Sequence, residues 1–398
     1  MKKILIVSHA MEIGGAEKAL LGLLETIDTT QYQVDLFLLR HQGELLKDIP
    51  DNINLLPAIS EYSDLAVPIT NVLKKGHFRI AYGRFKAKRA ARKRVLELGL
   101  EKNDVGLEYS HKFTVKYMPL ISQKEYDVAI SFLTPHYFVA EKVKAKKKIA
   151  WIHTDYKFVS CDIESQLSMW DRYDNIVSIS DDVTKSFLSA FPSLKEKLVL
   201  IENIMPMNTF YQMAKEKIQL ERIDDNSIKL LSVGRFSYQK NFDNVPEILS
   251  IVLEFAPNVV WYIIGYGDRE SEIKEQITKF NMEGKVILLG KQVNPYPFIK
   301  MCDIYVQPSR YEGKSVAVRE AQILAKPVII TDFSTAASQL EDRVDGIIVP
   351  LDNKGCAKGI VEVIKDPELM KQLSENCKMR DYTNKSEINK LYNLIETI

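Results

Sequence analysis

Residues 304–321 have the sequence IYVQPSRYEGKSVAVREA, and the fold prediction starts from this stretch. It begins with the short apolar run Ile304–Val306, continues through a polar loop that contains Gly313, and ends in a segment with helical spacing. A buried strand followed directly by a helix is the repeating unit of parallel sheets wound in βαβ fashion. The stretch therefore predicts an α/β fold.

The same unit recurs along the chain. Thirteen short apolar runs lack polar alternation, as strands buried on both faces do. Because thirteen strands are too many for one ordinary open sheet, we predict two Rossmann-like domains with parallel sheets. The runs are Ile4–Val7, Val34–Leu39, Ile53–Leu56, Val128–Phe132, Ile149–Ile152, Ile176–Ile179, Leu198–Ile201, Ile228–Val233, Val259–Ile264, Val286–Leu289, Ile304–Val306, Val328–Ile330 and Ile347–Val349.

The length of the chain and the residues that interrupt its strand and helix pattern also indicate two domains. Its 398 residues exceed one ordinary core. Met205-Pro206-Met207 interrupts the strand and helix pattern, and a polar stretch follows at residues 215–227. We therefore expect one domain over residues 1–204 and a second over residues 205–383. Helical spacing between residues 367 and 398 predicts two terminal helices.

Composition excludes several classes of protein. The 46% of hydrophobic residues indicate a globular chain that is not disordered, and the net charge of +1 does not indicate any particular class of partner. Its four cysteines have no metal-binding or C-x-x-C spacing, as expected for a reducing compartment. No run approaches the ~18 apolar residues of a membrane span. We expect a cytoplasmic protein.

A basic segment at residues 74–94 contains ten Lys or Arg and no acid, with Phe78, Tyr82 and Phe85 among them. Such a segment favours contact with an anionic membrane surface. The alternatives are a solvated face balanced by acids elsewhere and a nucleic-acid site, although no nucleic-acid-binding module is present. The membrane interpretation involves six of the cations, namely Lys86, Lys88, Arg89, Arg92, Lys93 and Arg94.

Ligands bind open parallel sheets beyond the carboxyl ends of the strands, and two turns there favour phosphate. Gly14 and Gly15 follow the first strand, so the backbone can approach an anion at the start of a helix. The alternative there is a plain flexible turn, since G-x-G-x-x-G is not met. Arg235 and Lys240 follow the strand ending at Val233, and two cations there would hold a diphosphate.

Two further turns carry groups suited to a sugar. Glu312 precedes the helix predicted to begin near Ser315, and Glu320 lies about a turn and a half inside it. Carboxylates accept hydrogen bonds from vicinal hydroxyls, and the amides of residues 314–316 suit a phosphate. His153 ends another strand and could donate to a sugar hydroxyl, although such a histidine is more often structural.

These motifs resemble those of retaining GT-B glycosyltransferases, the family called glycosyltransferase group 1 or family 4. The resemblance covers nearly the whole chain. It rests on the Gly-Gly-Ala-Glu loop at 14–17, on Gly234-Arg235 with Lys240-Asn241, and on Pro308-Ser309-Arg310-Tyr311-Glu312-Gly313 followed by Glu320-Ala321 and Lys326-Pro327-Val328. It implies that the two domains face a cleft, with the acceptor bound by the first and the nucleotide sugar by the second. It also implies that the helix at 384–398 packs back on the first domain.

The resemblance implies roles for individual residues. Arg235 and Lys240 would hold the donor diphosphate, Glu320 the ribose, and Glu312 would face the donor sugar. Together with His153 near that sugar, Glu312, Arg235 and Lys240 form the catalytic set. The remaining donor-binding positions are Gly14, Gly15, Gly290, Lys291, Gln292, Gly313, Lys314, Ser315 and Val316.

The implied activity is transfer of a hexose or N-acetylhexosamine from a nucleotide diphosphate sugar to a glycan or lipid-linked acceptor, in bacterial surface polysaccharide synthesis. UDP is the expected nucleotide. No D-x-D motif occurs, so we expect no metal and no cofactor. Lys314-Ser315 replaces the family's usual Phe-Gly, which leaves the donor sugar open. The alternatives are a UDP-sugar epimerase of the same fold and a non-catalytic sugar-nucleotide or membrane-binding protein.

Overall fold

A computed structural model describes residues 1–99, 102–159, 161–218, 226–313 and 315–397. The chain forms two compact units. Unit 1 comprises residues 1–206 and 384–398, and unit 2 comprises residues 207–383. Each unit contains one parallel sheet covered by helices.

Unit 1 has a sheet of seven parallel strands in the order β3-β2-β1-β4-β5-β6-β7. Ile4, Leu5 and Ile6 of β1 are fully buried, because helices cover both faces of the sheet. The order reverses between β1 and β4, so the carboxyl ends of these two strands form the expected ligand-binding edge. The strands are β1 (Lys2–Ser8), β2 (Tyr32–Leu38), β3 (Asn54–Leu55), β4 (Glu125–Ser131), β5 (Lys144–Ile152), β6 (Asn175–Ser178) and β7 (Leu198–Leu200).

The helices of unit 1 begin with α1, which follows β1 and buries Leu20, Leu21 and Leu24. The helices are α1 (Gly15–Thr26), α2 (Ser60–Ser63), α3 (Ile69–Lys74), α4 (Phe78–Leu98), α5 (Lys102–Thr114), α6 (Tyr137–Lys142), α7 (Ile163–Trp170) and α8 (Asp181–Ala190).

Unit 2 has a sheet of six parallel strands in the order β10-β9-β8-β11-β12-β13, which reverses between β8 and β11. Its strands are β8 (Ile228–Val233), β9 (Val259–Ile264), β10 (Val286–Gly290), β11 (Ile304–Gln307), β12 (Val328–Thr331) and β13 (Ile347–Val349). Its helices are α9 (Met207–Met213), α10 (Val245–Phe255), α11 (Glu270–Lys279), α12 (Tyr296–Met301), α13 (Val316–Ile323), α14 (Asn353–Lys365) and α15 (Pro367–Met379).

The last helix, α16 (Ile388–Glu396), belongs to unit 1 although it follows unit 2 in sequence. The ring of Tyr392 stacks on Tyr32 with the ring centroids 5.0 Å apart, and its hydroxyl accepts a hydrogen bond from the backbone of Asp28 at 2.8 Å. Leu391 and Ile395 are fully buried. The α16 helix therefore completes the packing of unit 1.

The predicted architecture is confirmed. Each of the thirteen apolar runs overlaps a strand, and every pairing between the named strands is parallel. The two helices expected near the C-terminus are α15 and α16. Among the described residues, no helix is both long and apolar enough to cross a bilayer.

Candidate functional site

The candidate site of unit 2 lies where the strand order reverses. The loop after β8 carries Arg235 and Lys240, and the loop after β11 carries Glu312. Because β8 and β11 pair directly, their carboxyl ends and both loops meet at one edge of the sheet. Residues more than seventy positions apart in sequence thus become neighbours.

The Glu312 carboxylate is buried at this edge, with 6% of its side chain exposed. Lys240 Nζ lies 2.5 Å from one carboxylate oxygen, and Ser309 Oγ donates to the same oxygen at 2.7 Å. Gln239 Nε2 donates to the other oxygen at 3.0 Å. Burial of a carboxylate is costly unless it is paired, and these three donors satisfy it. The structure therefore brings the predicted residues Lys240 and Glu312 into direct contact with each other.

A relay of buried side chains holds Ser309 against Glu312. The Tyr305 hydroxyl donates to Gln307 at 2.8 Å, and Gln307 Nε2 donates to Ser309 Oγ at 2.9 Å. The Thr331 hydroxyl donates to the carbonyl oxygen of Ser309 at 2.5 Å. Each member uses its hydrogen-bonding groups within the unit, so the loop after β11 has a defined position.

Arg310 joins the two loops to each other. Its guanidinium makes a bidentate pair with Asp243 at 3.0 and 2.6 Å, and lies 4.1 Å from the centroid of the Tyr238 ring. Its backbone N–H donates to the carbonyl of Gln239 at 2.8 Å. Sequence reasoning missed Arg310 and Asp243, since nothing in the local pattern shows that they pair.

Close backbone packing supports the loop after β8. A Cβ added to Gly265 would lie 1.9 Å from the carbonyl oxygen of Gly234, so only glycine fits there. Asn241 adopts φ = 60°, and its side-chain amide donates to the carbonyl of Pro308 at 2.9 Å. Asparagine tolerates this left-handed conformation better than most residues do.

Arg235 differs from Lys240 in its surroundings. Its side chain is exposed, and no ion pair of the described side chains includes it. The guanidinium therefore has its full donor capacity available at the edge where Lys240 and Glu312 pair.

Glu320 lies on α13 and is buried, with 3% of the residue exposed. The hydroxyl of Tyr296, on α12, donates to it at 2.9 Å. Burial, together with the charge of Glu320, raises the pKa of Tyr296 well above its ordinary value. Phe210 stacks on Tyr296 with ring centroids 4.4 Å apart and completes this support. Tyr296 was not identified from the sequence, because its contact with Glu320 spans 24 residues.

The first residues of α13 form the third part of the site. Ser315 occupies the N-cap position of this helix but makes no capping hydrogen bond, and its Oγ is buried with no hydrogen-bond partner in the part of the chain that the structure describes. The Thr335 hydroxyl donates to the carbonyls of Glu312 and Gly313, each at 2.9 Å. Val316 is half exposed at the start of α13. Lys314, the remaining predicted donor residue, lies outside the described residues.

The predicted donor-binding residues Gly290, Lys291 and Gln292 lie at the carboxyl end of β10, two strands away from β8. Gly290 has φ = 66°, and its carbonyl accepts a hydrogen bond from Gly265 at 2.9 Å. Lys291 Nζ lies 5.3 Å from the centroid of the Tyr266 ring, and Gln292 donates to the carbonyl of Leu289 at 2.7 Å. This segment is thus joined to the loop after β8 through Gly265.

The predicted residues of unit 1 lie at the carboxyl ends of its strands. Gly14 precedes α1 and Gly15 begins it, and a Cβ added to Gly15 would meet no atom within 4 Å. His153 follows β5. Its ring centroid lies 4.6 Å from that of Phe132, and its Nε2 is buried without a partner among the described residues.

Three histidines that sequence reasoning missed lie near His153. His9 and His111 have ring centroids 5.9 Å apart, and His136 Nδ1 lies 2.7 Å from Ser131 Oγ. Burial lowers the pKa of His153 to about 3 and, with help from the charge of Arg40, that of His9 to about 4. Burial likewise holds the pKa values of His111 and His136 well below 6.5. The group is neutral at pH 7, and the described residues include no cluster of three or more His, Cys, Asp or Glu suited to a metal ion.

The six cations predicted to contact a membrane lie on α4. Lys86, Lys88, Arg89, Arg92 and Lys93 are exposed. Arg94 differs from the other five, because its side chain is paired within the protein. Arg94 Nε donates to Asp162 at 2.6 Å, and Nη2 donates to Glu164 at 3.0 Å. These acids, about 70 residues away in sequence, neutralise Arg94 and remove it from the basic surface.

Comparison with known proteins adds to this geometry. Residues 213–380 match the family described as glycosyl transferases group 1. An uncharacterised glycosyltransferase of Methanocaldococcus jannaschii is 31% identical over 172 residues, 42% of each chain. The N-acetylgalactosamine-N,N'-diacetylbacillosaminyl-diphospho-undecaprenol 4-alpha-N-acetylgalactosaminyltransferase of Campylobacter jejuni is 27% identical over 53% of this chain and 56% of that protein. The chain thus spans about half the length of these two relatives.

Among solved structures, Anabaena HepE in complex with UDP and glucose covers 100% of both chains, with a TM-score of 0.61 and 15% identity. At that identity the likeness concerns the fold alone. It confirms the predicted GT-B class of two parallel-sheet units.

We predict that His9 and His153 stay neutral in the folded protein at pH 5.5. Each has a folded pKa below the unfolded value of about 6.5, so the unfolded chain binds the extra proton and the unfolding free energy falls as the pH drops below 6.5. The loss is about 1.4 kcal/mol per pH unit for each histidine until the pH reaches its folded pKa. Imidazole ¹⁵N NMR shifts between pH 7.5 and 5 measure the charge.

The resonances are assigned with His9→Asn and His153→Gln, and His41→Gln at an exposed position is the matched control. Titration of both rings near pH 6.5 in the folded protein would contradict the prediction.

Proposed function

We propose that this chain, whose residues 213–380 match the group 1 glycosyl transferases and whose two units have the GT-B fold, transfers a hexose or N-acetylhexosamine from a UDP-sugar. The acceptor is a glycan or a lipid-linked sugar, and the product enters bacterial surface polysaccharide synthesis. Unit 2 binds the donor and unit 1 the acceptor. The relative of Campylobacter jejuni bears a name that describes transfer to a diphospho-undecaprenol-linked sugar, and the Anabaena structure contains UDP and glucose.

The Lys240–Glu312 ion pair beside Arg235 is the observation that carries this proposal. A diphosphate carries more negative charge than one carboxylate, so it competes with Glu312 for Lys240. The exposed guanidinium of Arg235 and the free N–H groups at the start of α13 add further donors. The unpaired hydroxyl of Ser315 gains a phosphate oxygen as its partner. Displaced from Lys240, Glu312 accepts hydrogen bonds from hydroxyls of the donor sugar.

The proposed reaction is a front-face substitution with retention. The bond between the anomeric carbon and the diphosphate oxygen breaks, and a bond from that carbon to the acceptor oxygen forms on the same face. The proton of the acceptor hydroxyl passes to the departing diphosphate oxygen. Lys240, Arg235 and the N-terminus of α13 stabilise the negative charge that develops on the diphosphate, a contribution that often reaches 10²-fold or more in rate.

The remaining donor contacts belong to the same proposal. Glu320 accepts hydrogen bonds from the ribose hydroxyls while Tyr296 holds its carboxylate in position. Gly290, Lys291 and Gln292 pack against the base. For unit 1 we propose, separately, that the backbone N–H groups of Gly14 and Gly15 bind an anionic group of a ligand and that the buried Nε2 of His153 bonds a sugar hydroxyl. A neutral imidazole suits this role because it neither repels nor attracts the anomeric charge.

We expect Arg235→Ala to lower kcat/KM about 100-fold and Lys240→Met by at least as much, because each change removes a cation that stabilises the leaving diphosphate. The assay measures UDP release from a panel of UDP-sugars, with and without acceptor. Arg235 is exposed, so its loss should leave folding intact. Lys371→Ala, at an exposed lysine of α15, is the matched control and should retain full activity.

Activity in both variants close to that of the wild type would contradict the assigned roles. Conversion of UDP-sugar alone into an epimer would instead identify an epimerase.

We also propose that transfer needs no divalent metal, since the cations and the helix N-terminus supply the charge that a metal would. Activity with 5–10 mM EDTA should therefore match activity without it. Loss of activity in EDTA that magnesium or manganese restores would refute this part of the proposal.

The exposed face of α4 is proposed to lie on an anionic membrane surface. Phe78, Tyr82 and Phe85 are exposed there beside Lys86 and Arg89. Exposed aromatic rings flanked by cations are typical of helices that bind at the lipid interface. On this proposal the protein lies in the cytoplasm, at the periphery of the membrane that carries a lipid-linked acceptor.

Combined replacement of Phe78, Tyr82 and Phe85 by Ser should reduce sedimentation with phosphatidylglycerol vesicles severalfold, because it removes the apolar part of this face. The control exchanges three exposed residues of α15, Lys371, Gln372 and Lys378, for Ser. Equal sedimentation of the wild type and the aromatic variant would exclude membrane contact through this face.

A further inference from the structure

A pocket of about 550 Å³ lies in unit 1 on the side of α4 next to its aromatic face. It opens between α3, α4 and α5. Small residues create the space, since Ala87 and Ala91 of α4 face it and a Cβ added to Gly106 of α5 would meet no atom within 4 Å. No role has been assigned to this pocket above, and the donor site of unit 2 does not include it.

All charged side chains that line the pocket are positively charged. Arg84, Lys88 and Arg92 line the pocket one helical turn apart along α4, so three cations face a single space. None of the lining side chains that the structure describes carries a carboxylate. No ion pair among the described residues includes Lys88 or Arg92. Asp64 partly balances Arg84, but Lys88 and Arg92 have no such partner among the described residues. Neighbouring cations repel each other, and an anionic ligand reduces that repulsion.

Arg84 also bonds two backbone carbonyl groups, and these bonds fix the orientation of its side chain. Its guanidinium donates to the backbone carbonyl oxygens of Asp64 and Val67 through Nη1. Asp64 is fully buried and pairs with Lys75 at 2.8 Å and with His77. Arg84 is therefore anchored at the back of the pocket, and its other guanidinium nitrogens remain for a ligand.

The other lining groups are hydroxyls and small apolar side chains. Thr70 and Ser110 supply hydroxyls that can donate to an anion, and Pro68, Ile69 and Ala87 supply apolar walls. A pocket of this composition suits a ligand that is anionic at one end and hydrocarbon at the other.

We propose that this pocket binds a phosphoryl group, as a monophosphate or a diphosphate, attached to an apolar chain. The phosphate lies among Arg84, Lys88 and Arg92, and the chain contacts Ile69, Ala87 and Ala91. The phosphate belongs either to a membrane lipid headgroup or to a free phosphorylated compound. The inference deepens the proposed function on the acceptor side, since a lipid-linked acceptor carries a phosphoryl group on an apolar chain. Binding is measured without a donor and none of the pocket residues lies in unit 2, so its failure is distinguishable from a failure of sugar transfer.

The test measures binding of decyl phosphate, below its micelle concentration, and of inorganic pyrophosphate to the full chain by calorimetry. Lys88→Gln with Arg92→Gln should weaken decyl phosphate binding roughly 10-fold or more, because two charge-assisted contacts are lost. Lys371→Gln with Lys378→Gln removes the same charge from exposed positions of α15, outside the pocket and outside the proposed membrane face, and should weaken it less than 2-fold. Arg84 is left in place since its loss would release two backbone carbonyls.

A second variant keeps every charge. Gly106→Leu fills the open space on α5 and replaces a poor helix former by a good one, so the protein should fold and decyl phosphate binding should be lost. Phosphatidic acid vesicles, compared with phosphatidylcholine vesicles, serve as the membrane arm.

Decyl phosphate binding much tighter than pyrophosphate binding, with vesicle binding reduced by Gly106→Leu, supports a lipid headgroup. Decyl phosphate binding much tighter than pyrophosphate binding, with vesicle binding unchanged by Gly106→Leu, supports a free phosphorylated compound that carries an apolar chain. Equal affinity for the two soluble probes would contradict the apolar part of the proposal. The proposal is overturned if neither probe binds, if both double variants weaken binding equally, or if Gly106→Leu binds decyl phosphate like the wild type.

Discussion

The buried carboxylate of Glu312 is the constraint on which the candidate site depends. An ionised carboxylate cannot remain buried without partners, so Lys240, Gln239 and Ser309 must converge on it. That convergence draws the loops after β8 and β11 together at the point where the strand order reverses. Arg310 and Asp243 close the same junction from the other side. Lys240, the cation proposed to bind the diphosphate, is therefore held by the Glu312 carboxylate.

The architecture was predictable from the sequence because strands buried on both faces carry almost no polar residues. Ile4–Val7 and Val259–Ile264 stand out from their surroundings for this reason. Motif spacing was equally informative for residues close in sequence. Glu312 and Glu320 belong to one loop and one helix, so their placement followed from the strand, loop and helix around them.

Contacts between distant segments could not be predicted in this way. The pair Arg310–Asp243 spans 67 residues, and Tyr296 reaches Glu320 from another helix. The histidines near His153 come from α5 and from the ends of β1 and β4, so only the folded sheet brings them together. Arg94 is a further example of a contact between distant segments that the sequence pattern does not reveal. It belongs to a basic run in the sequence, yet Asp162 neutralises it in the fold.

A crystal structure of the full chain with a UDP-sugar tests the central claim most directly. The account predicts that Lys240 Nζ leaves Glu312 for a diphosphate oxygen, within about 3 Å, with the guanidinium of Arg235 on the same group and the ribose on Glu320. A nucleotide sugar bound elsewhere, or one bound here with the Lys240–Glu312 pair still closed, would contradict it.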